Sequence, residues 1–80
     1  MSRLRCKPWE KRGRWVLRRD CTCGRRGIRL RAEVRPLGRE KWDAYIFDLD
    51  EGSEHRVTFG TQRAAKKHAG KMLDDWCLED

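Results

Sequence analysis

The segment from Ile28 to Arg35 alternates strictly between apolar and charged residues. The apolar residues are Ile28, Leu30, Ala32 and Val34, and the charged ones are Arg29, Arg31, Glu33 and Arg35. Because successive side chains of a β-strand point to opposite faces of a sheet, this pattern predicts a strand with one apolar and one mainly basic face. The apolar face needs a covering layer, and the basic face is left to solvent or to a binding partner.

The segment from Val57 to Trp76 predicts that covering layer. Val57 and Phe59 have the two-residue spacing of a strand, Gly60 ends it, and the Thr61 hydroxyl is suited to cap the start of a helix. The apolar residues that follow have helical spacing and form one stripe: Ala65, Ala69, Met72 and Trp76. We expect this stripe to pack on the apolar side of the sheet.

Further strands are predicted at residues 15–18, 42–49 and 54–59, with turns at 20–24, 36–38 and 50–53. The predicted fold is therefore α+β: a three- or four-stranded antiparallel sheet, arranged as a meander, with one C-terminal helix packed on one face. Residues 1–14 are expected to form a basic N-terminal arm, and residues 15–80 a single β-sheet-plus-helix domain. Residues 42–49 have apolar side chains on both sides of the predicted strand, as in a central strand or one with exposed aromatic rings.

The net charge of +7 is distributed unevenly along the chain. Residues 1–41 hold 15 Lys or Arg and 4 Asp or Glu, a net charge of +11, whereas residues 42–80 hold 5 and 9, a net charge of −4. Solubility alone does not require this segregation, and an Arg-rich basic segment is typical of proteins that bind polyanions. The composition therefore favours nucleic acid as the partner.

The sequence has no apolar run close to the roughly 20 residues that cross a bilayer, and no signal peptide pattern. These features predict a cytoplasmic protein with no membrane partner. Since disulfides are rare in a reducing cytoplasm, we expect its cysteines to be reduced.

The four cysteines, Cys6, Cys21, Cys23 and Cys77, are enough to hold one tetrahedral zinc ion. Cys21 and Cys23, followed by Gly24, resemble half of a zinc knuckle, although zinc-binding pairs usually have two or more intervening residues. Two interpretations stay open: a structural zinc site, or no cofactor and four reduced thiols, two at a turn and two partly buried.

Catalytic groupings are missing from the sequence pattern. Neither a Ser/His/Asp nor a Cys/His arrangement occurs at an informative spacing, and the Gly24–Gly27 segment is expected to be a turn rather than a phosphate loop. The acidic residues near the third strand are expected to be solvated: Asp43, Asp48, Asp50 and Glu51. We therefore expect that the protein is not an enzyme.

The C-terminal half carries a set of residues that occurs in known DNA-binding domains. The set is Trp42, Ala44 and Phe47, an acidic turn with Gly52, the Thr-Phe-Gly-Thr run of residues 58–61, and Ala64-Ala65. This half resembles the N-terminal arm-binding domain of phage-type tyrosine recombinases and is similar to the plant Apetala-type domain, which has three strands and a helix. The resemblance implies that the sheet face away from the helix enters the DNA major groove and reads it with Arg and aromatic side chains. It also suggests a protein encoded by a phage or prophage, although these 80 residues hold no recombinase catalytic domain.

The favoured function is that of a small nucleic-acid-binding protein, which binds double-stranded DNA through an Arg-rich sheet face. The candidate binding residues lie on the outward side of the first two predicted strands or at the hairpin tip: Arg14, Arg18, Arg25, Arg26, Arg29, Arg31 and Arg35. Glu33 is the one acidic residue expected on this face. The alternative is a protein-binding module, such as a phage inhibitor of a host protein, for which the acidic segments 48–54 and 74–80 would serve.

Overall fold

The computed structural model describes residues 4–24 and 27–78. Its elements in chain order are β1 (Arg5–Cys6), β2 (Glu10–Lys11), β3 (Leu17–Cys23), β4 (Ile28–Gly38), β5 (Lys41–Asp48), β6 (Glu54–Phe59) and α1 (Gln62–Leu78). The four longer strands, β3 to β6, pair antiparallel in sequence order, and the short strands β1 and β2 both pair with the outer edge of β3. The predicted α+β fold, a meander followed by one helix, is confirmed.

The hydrophobic core lies between the sheet and α1. Leu30, Ala32 and Val34 of β4 are fully buried, together with Ala44 and Ile46 of β5. The helix buries the predicted small residues at its start, Ala65 and Ala69, and the larger Met72 and Leu73 further along. Leu73, rather than Trp76, is the large helix residue that is completely buried, since Trp76 is only partly covered.

Helix α1 begins as its sequence predicts. The Thr61 Oγ1 accepts a hydrogen bond of 3.1 Å from the Ala64 N–H, which satisfies one of the unpaired donors of the first turn. The charges of the helix, in contrast, oppose its dipole: no acidic residue lies in its first turn and no basic residue in its last. An acidic residue near the start of a helix, or a basic one near its end, stabilises the helix by about 0.3–1 kcal/mol, and α1 lacks both. Its stability therefore comes from the apolar side that packs on the sheet.

The largest differences from the predicted strand boundaries are at the ends of β3 and β4. Strand β3 runs to Cys23, so the expected turn at residues 20–24 is wrong: Cys21 and Cys23 are small apolar residues that alternate with polar ones and face the core. Strand β4 continues to Gly38 through a register shift after Pro36. A bulge of this kind accommodates a proline, which has no N–H to donate to the ladder.

The four cysteines form two disulfides. Cys6 lies directly opposite Cys21 and bonds to it, which ties β1 to β3, and Cys23 bonds to Cys77 near the end of α1. The expectation of four reduced thiols is wrong, because pairing between distant parts of the chain brings the sulfurs together. Bonded sulfurs are not the thiolates that zinc requires, and among residues 4–24 and 27–78 no group of three or more His, Cys, Asp or Glu is placed to hold a metal. Zinc binding stays a prediction for the reduced chain.

No helix in the described part of the chain combines the length and apolar character needed to span a membrane.

Replacing Leu73 tests the packing of the helix on the sheet. Leu73→Ala should lower the free energy of unfolding by about 2–5 kcal/mol, because it leaves a cavity at the centre of the core. The exposed variant Lys67→Ala should change it by less than about 0.5 kcal/mol. Urea unfolding measures both, and equal stabilities for the two variants would contradict this packing.

The two disulfides should stabilise the fold unequally. The Cys23–Cys77 bond spans 54 residues and the Cys6–Cys21 bond 15. In the chain-entropy account, removing them as Ser pairs should cost about 4 and about 3 kcal/mol respectively. Urea unfolding of the two double variants checks this order. Iodoacetamide labelling of the unfolded wild-type protein checks the bonds, since label uptake without prior reduction would contradict them.

Candidate nucleic-acid interface

We call the side of the sheet that faces away from α1 the outer face. Residues directly opposite each other in an antiparallel pair project to the same side, so the register identifies its members. Those from β3 to β6 are Arg18, Asp20 and Thr22 of β3; Arg29, Arg31, Glu33 and Arg35 of β4; Asp43, Tyr45 and Phe47 of β5; and Glu54, Arg56 and Thr58 of β6. The short strands β1 and β2 add Arg5, opposite Thr22, and Glu10, opposite Arg18. The structure therefore brings four of the candidate arginines together, as the alternation predicts: Arg18, Arg29, Arg31 and Arg35.

Every arginine that β3 to β6 place on the outer face lies beside a carboxylate. The pairs are Arg18–Glu33 at 2.7 Å, Arg29–Asp50 at 2.9 Å, Arg31–Asp20 at 2.8 Å, Arg56–Asp43 at 3.9 Å, and Arg35–Glu33. The expectation that Glu33 would be the one acid on this face is wrong. The neighbouring strands contribute Asp20 and Asp43, and the β5–β6 turn contributes Asp50.

Glu33 is the buried centre of this charge network. Its residue surface is only 2% exposed, although it lies on the outer face. Burial raises the pKa of the Glu33 carboxyl, but hydrogen bonds from Arg18 and Arg35 and their positive charges outweigh burial, so the pKa is lowered below its ordinary value. Removing either arginine would leave a poorly compensated buried charge. Arg18 and Arg35 are therefore held by the fold and are poorly placed to change partners.

Arg29 and Arg31 are held less tightly. The side chain of Arg29 is 63% exposed and that of its partner Asp50 is 43% exposed. The backbone N–H and the guanidinium of Arg29 lower the pKa of Asp50, so Asp50 keeps its charge. The Arg31–Asp20 pair is partly exposed, with side chains 33% and 41% exposed, so its acid reaches solvent whereas Glu33 does not. Ion pairs open to solvent contribute little to stability and are screened by salt, so a phosphate can compete for these two arginines.

A cavity of about 460 Å³ opens beside these two arginines, near the edge strand β1. Its charged lining consists of four basic residues and one acidic residue: Arg5, Lys7, Arg29, Arg31 and Asp20. Within the described ranges, Arg5 and Lys7 have no ion-pair partner. The Lys7 N–H donates to the Asp20 carbonyl at 2.9 Å and fixes the backbone here. The cavity is thus a concave site with an excess of positive charge.

An aromatic pair lies on the other half of the outer face. The Tyr45 and Phe47 rings are nearly parallel, with centroids 5.7 Å apart. The guanidinium carbons of Arg35 and Arg56 lie 5.0 Å and 5.8 Å from the centre of the Tyr45 ring. Tyr45 and Arg56 were not among the predicted site residues. The two-sided apolar pattern of residues 42–49 was the signal for exposed rings.

Two acids expected to be solvated are buried. Asp43 is fully buried and accepts a 2.6 Å hydrogen bond from the Thr58 hydroxyl. Asp48 is 4% exposed, and its carboxylate accepts the N–H groups of Asp50 and Glu51, which forms the β5–β6 turn. Both acids are therefore held by the fold and are not solvated as expected.

The other candidate residues are dispersed. Arg14 is exposed and precedes β3, so it lies outside the strand face where it was expected. Arg25 and Arg26 lie outside the described residues. The cysteine candidates for zinc are bonded in pairs on the core side of the sheet.

No protein-family model, curated protein or solved structure matches this chain. The likeness to recombinase arm-binding domains stays a prediction.

The lowered pKa of Glu33 predicts a pH-dependent contribution to stability. A carboxyl whose pKa is lower in the folded state stabilises the protein above its unfolded pKa, near about 4.3, and loses that contribution as the pH falls through the folded value. Glu33→Gln should therefore be less stable than wild type at pH 7, and this difference should shrink below about pH 5. Urea unfolding from pH 7 to pH 3 measures it. A difference that stays constant would show that the ionisation of Glu33 does not contribute.

Proposed function

We propose that the protein is a small nucleic-acid-binding protein that binds double-stranded DNA through the outer face of its sheet. The cavity lined by Arg5, Lys7, Arg29 and Arg31 supports this proposal most directly. It combines a concave shape with basic side chains that are unpaired or only weakly held, which is what a phosphate backbone requires.

The chemistry of the rest of the outer face fits the same partner. Arginine side chains hydrogen-bond to guanine edges in the major groove, and here Arg56, whose side chain is 59% exposed, lies beside Tyr45. The major groove of DNA is about 12 Å wide and admits strands of a sheet. In this proposal the cavity holds the backbone, and the side chains around Tyr45 approach the base edges.

A second candidate function is a protein-binding module, such as a phage inhibitor of a host protein. The balance of arginines and carboxylates on the outer face favours it, because a balanced face attracts a polyanion less than a purely basic one. Exposed Trp15 and Leu37 would supply apolar contacts. Capture of one specific protein from a nuclease-treated host lysate would support this function, provided that duplex DNA does not bind.

We propose a cytoplasmic location, in the host cell if a phage encodes the protein, because a duplex DNA partner is found there. The two disulfides count against a reducing compartment, since such bonds persist mainly in oxidising ones.

The double variant Arg29→Gln with Arg31→Gln tests the DNA-binding proposal. It leaves Arg35 in place, because Arg35 compensates the buried Glu33 and its loss would disturb the fold. Binding to a random-sequence duplex should weaken, and the slope of log affinity against log salt should fall by about two units, one for each phosphate contact. A loss of about 1–3 kcal/mol at one base position only would instead identify a guanine contact.

The matched control is Arg39→Gln with Lys41→Gln, which removes the same charge at the β4–β5 turn. Fluorescence anisotropy at several salt concentrations compares the two variants, and circular dichroism verifies that both are folded. A folded Arg29/Arg31 variant that binds duplex as tightly as the control would contradict binding through the outer face.

A further inference from the structure

The solvent side of α1 carries basic side chains without acidic partners. Arg63, Lys67 and Lys71 are exposed and recur at every fourth position, which places them on one stripe of the helix. Among the residues described, none of the three forms an ion pair, whereas every arginine that β3 to β6 place on the outer face does. The cations of the helix are therefore open to a binding partner, whereas those arginines of β3 to β6 already lie beside carboxylates.

Trp9, in the N-terminal segment, lies where the cations of the helix meet Arg19 of β3. Two cations lie over the Trp9 ring, with the Lys66 Nζ 5.7 Å and the Arg19 guanidinium carbon 5.2 Å from its centre. Arg19 projects from the core side of β3, and its Nε donates to the Lys7 carbonyl at 2.7 Å. We call the group formed by Arg19, Arg63, Lys66, Lys67 and Lys71 the helix cation surface.

The cations of this surface do not stabilise helix α1. Cations at the start of a helix oppose its dipole, and like charges four residues apart repel each other. Arg63 and Lys67 form one such pair, and Lys67 and Lys71 form another. Acidic residues in the first turns would relieve both effects, but the acids of α1, Asp74 and Asp75, lie near its end.

The chemistry of the surface favours a polyanion over a protein partner. Protein interfaces are anchored by buried aromatic or large aliphatic side chains. The exposed large apolar residues of the described chain are Trp15, Leu37 and Leu49, and none of them belongs to the helix. A line of cations about 6 Å apart along a straight helix matches a partner that is itself a regular line of charges.

We propose that the helix cation surface is a second binding surface for the phosphodiester backbone of nucleic acid, on the opposite side of the molecule from the outer face. It binds without sequence preference, because backbone contacts carry no base information. This inference rests on the proposed function as a nucleic-acid-binding protein. Asp74 and Asp75 confine the surface to the first ten residues of the helix.

The double variant Lys67→Gln with Lys71→Gln tests this surface. Glutamine is a good helix former and both positions are exposed, so the variant should melt no lower than wild type. Its anisotropy titration with a random-sequence duplex should show a salt slope about two units smaller than wild type and weaker binding to every sequence tried. The Arg39/Lys41 variant removes the same charge elsewhere and should keep the wild-type slope.

Three outcomes would overturn the inference. A Lys67/Lys71 variant with the wild-type slope, beside an Arg29/Arg31 variant with a reduced one, would assign binding to the outer face alone. Equal losses in the Lys67/Lys71 and Arg39/Lys41 variants would show only an effect of net charge. Displacement of the duplex by poly-glutamate at equal charge concentration would show a surface for acidic protein segments. If wild type binds no duplex even at low salt, the proposed function itself fails, and that result differs from all three.

Discussion

The packing of α1 against Leu30, Ala32 and Val34 of β4 determines on which side the charged residues of β4 and of the helix lie. Once the helix covers the apolar side of β4, the alternate arginines of this strand must project to the outer face. The same packing turns the opposite side of the helix, with its lysines, toward solvent. One layer of apolar contacts thus separates the arginines of the sheet from the cations of the helix.

The two surfaces differ in how their charges are compensated. On the outer face, carboxylates from β3, β4, β5 and the β5–β6 turn lie beside the arginines, and Glu33 is buried among them. Such a network fixes side chains in position but lowers the net attraction for a polyanion. On the helix side no carboxylate among the described residues pairs with the cations, so attraction there is long-ranged and depends on salt. In the proposed function the sheet would position nucleic acid, and the helix would supply general affinity.

The local sequence pattern predicted the main strands and the helix. Which residues from different strands lie side by side depends on strand pairing, which the local pattern does not show. The alternation of residues 28–35 and the Thr61 cap depend on neighbours in sequence, and both appear in the structure as expected. The position of Asp20 beside Arg31, and of Cys6 opposite Cys21, depends on the register of strands that are distant in sequence. The sequence could therefore place the arginines on one face, but it could not show that acids from other strands would neutralise them.

The most direct measurement of this account is a titration of the isotope-labelled, oxidised protein with a random-sequence duplex at low salt, followed residue by residue by NMR. The account predicts shifts that saturate for the side chains of Arg29 and Arg31 and for the helix residues from Arg63 to Lys71. It also predicts that both sets of shifts disappear when the salt concentration is raised. Spectra that stay unchanged at low salt, or shifts confined to the surroundings of Trp15 and Leu37, would contradict it.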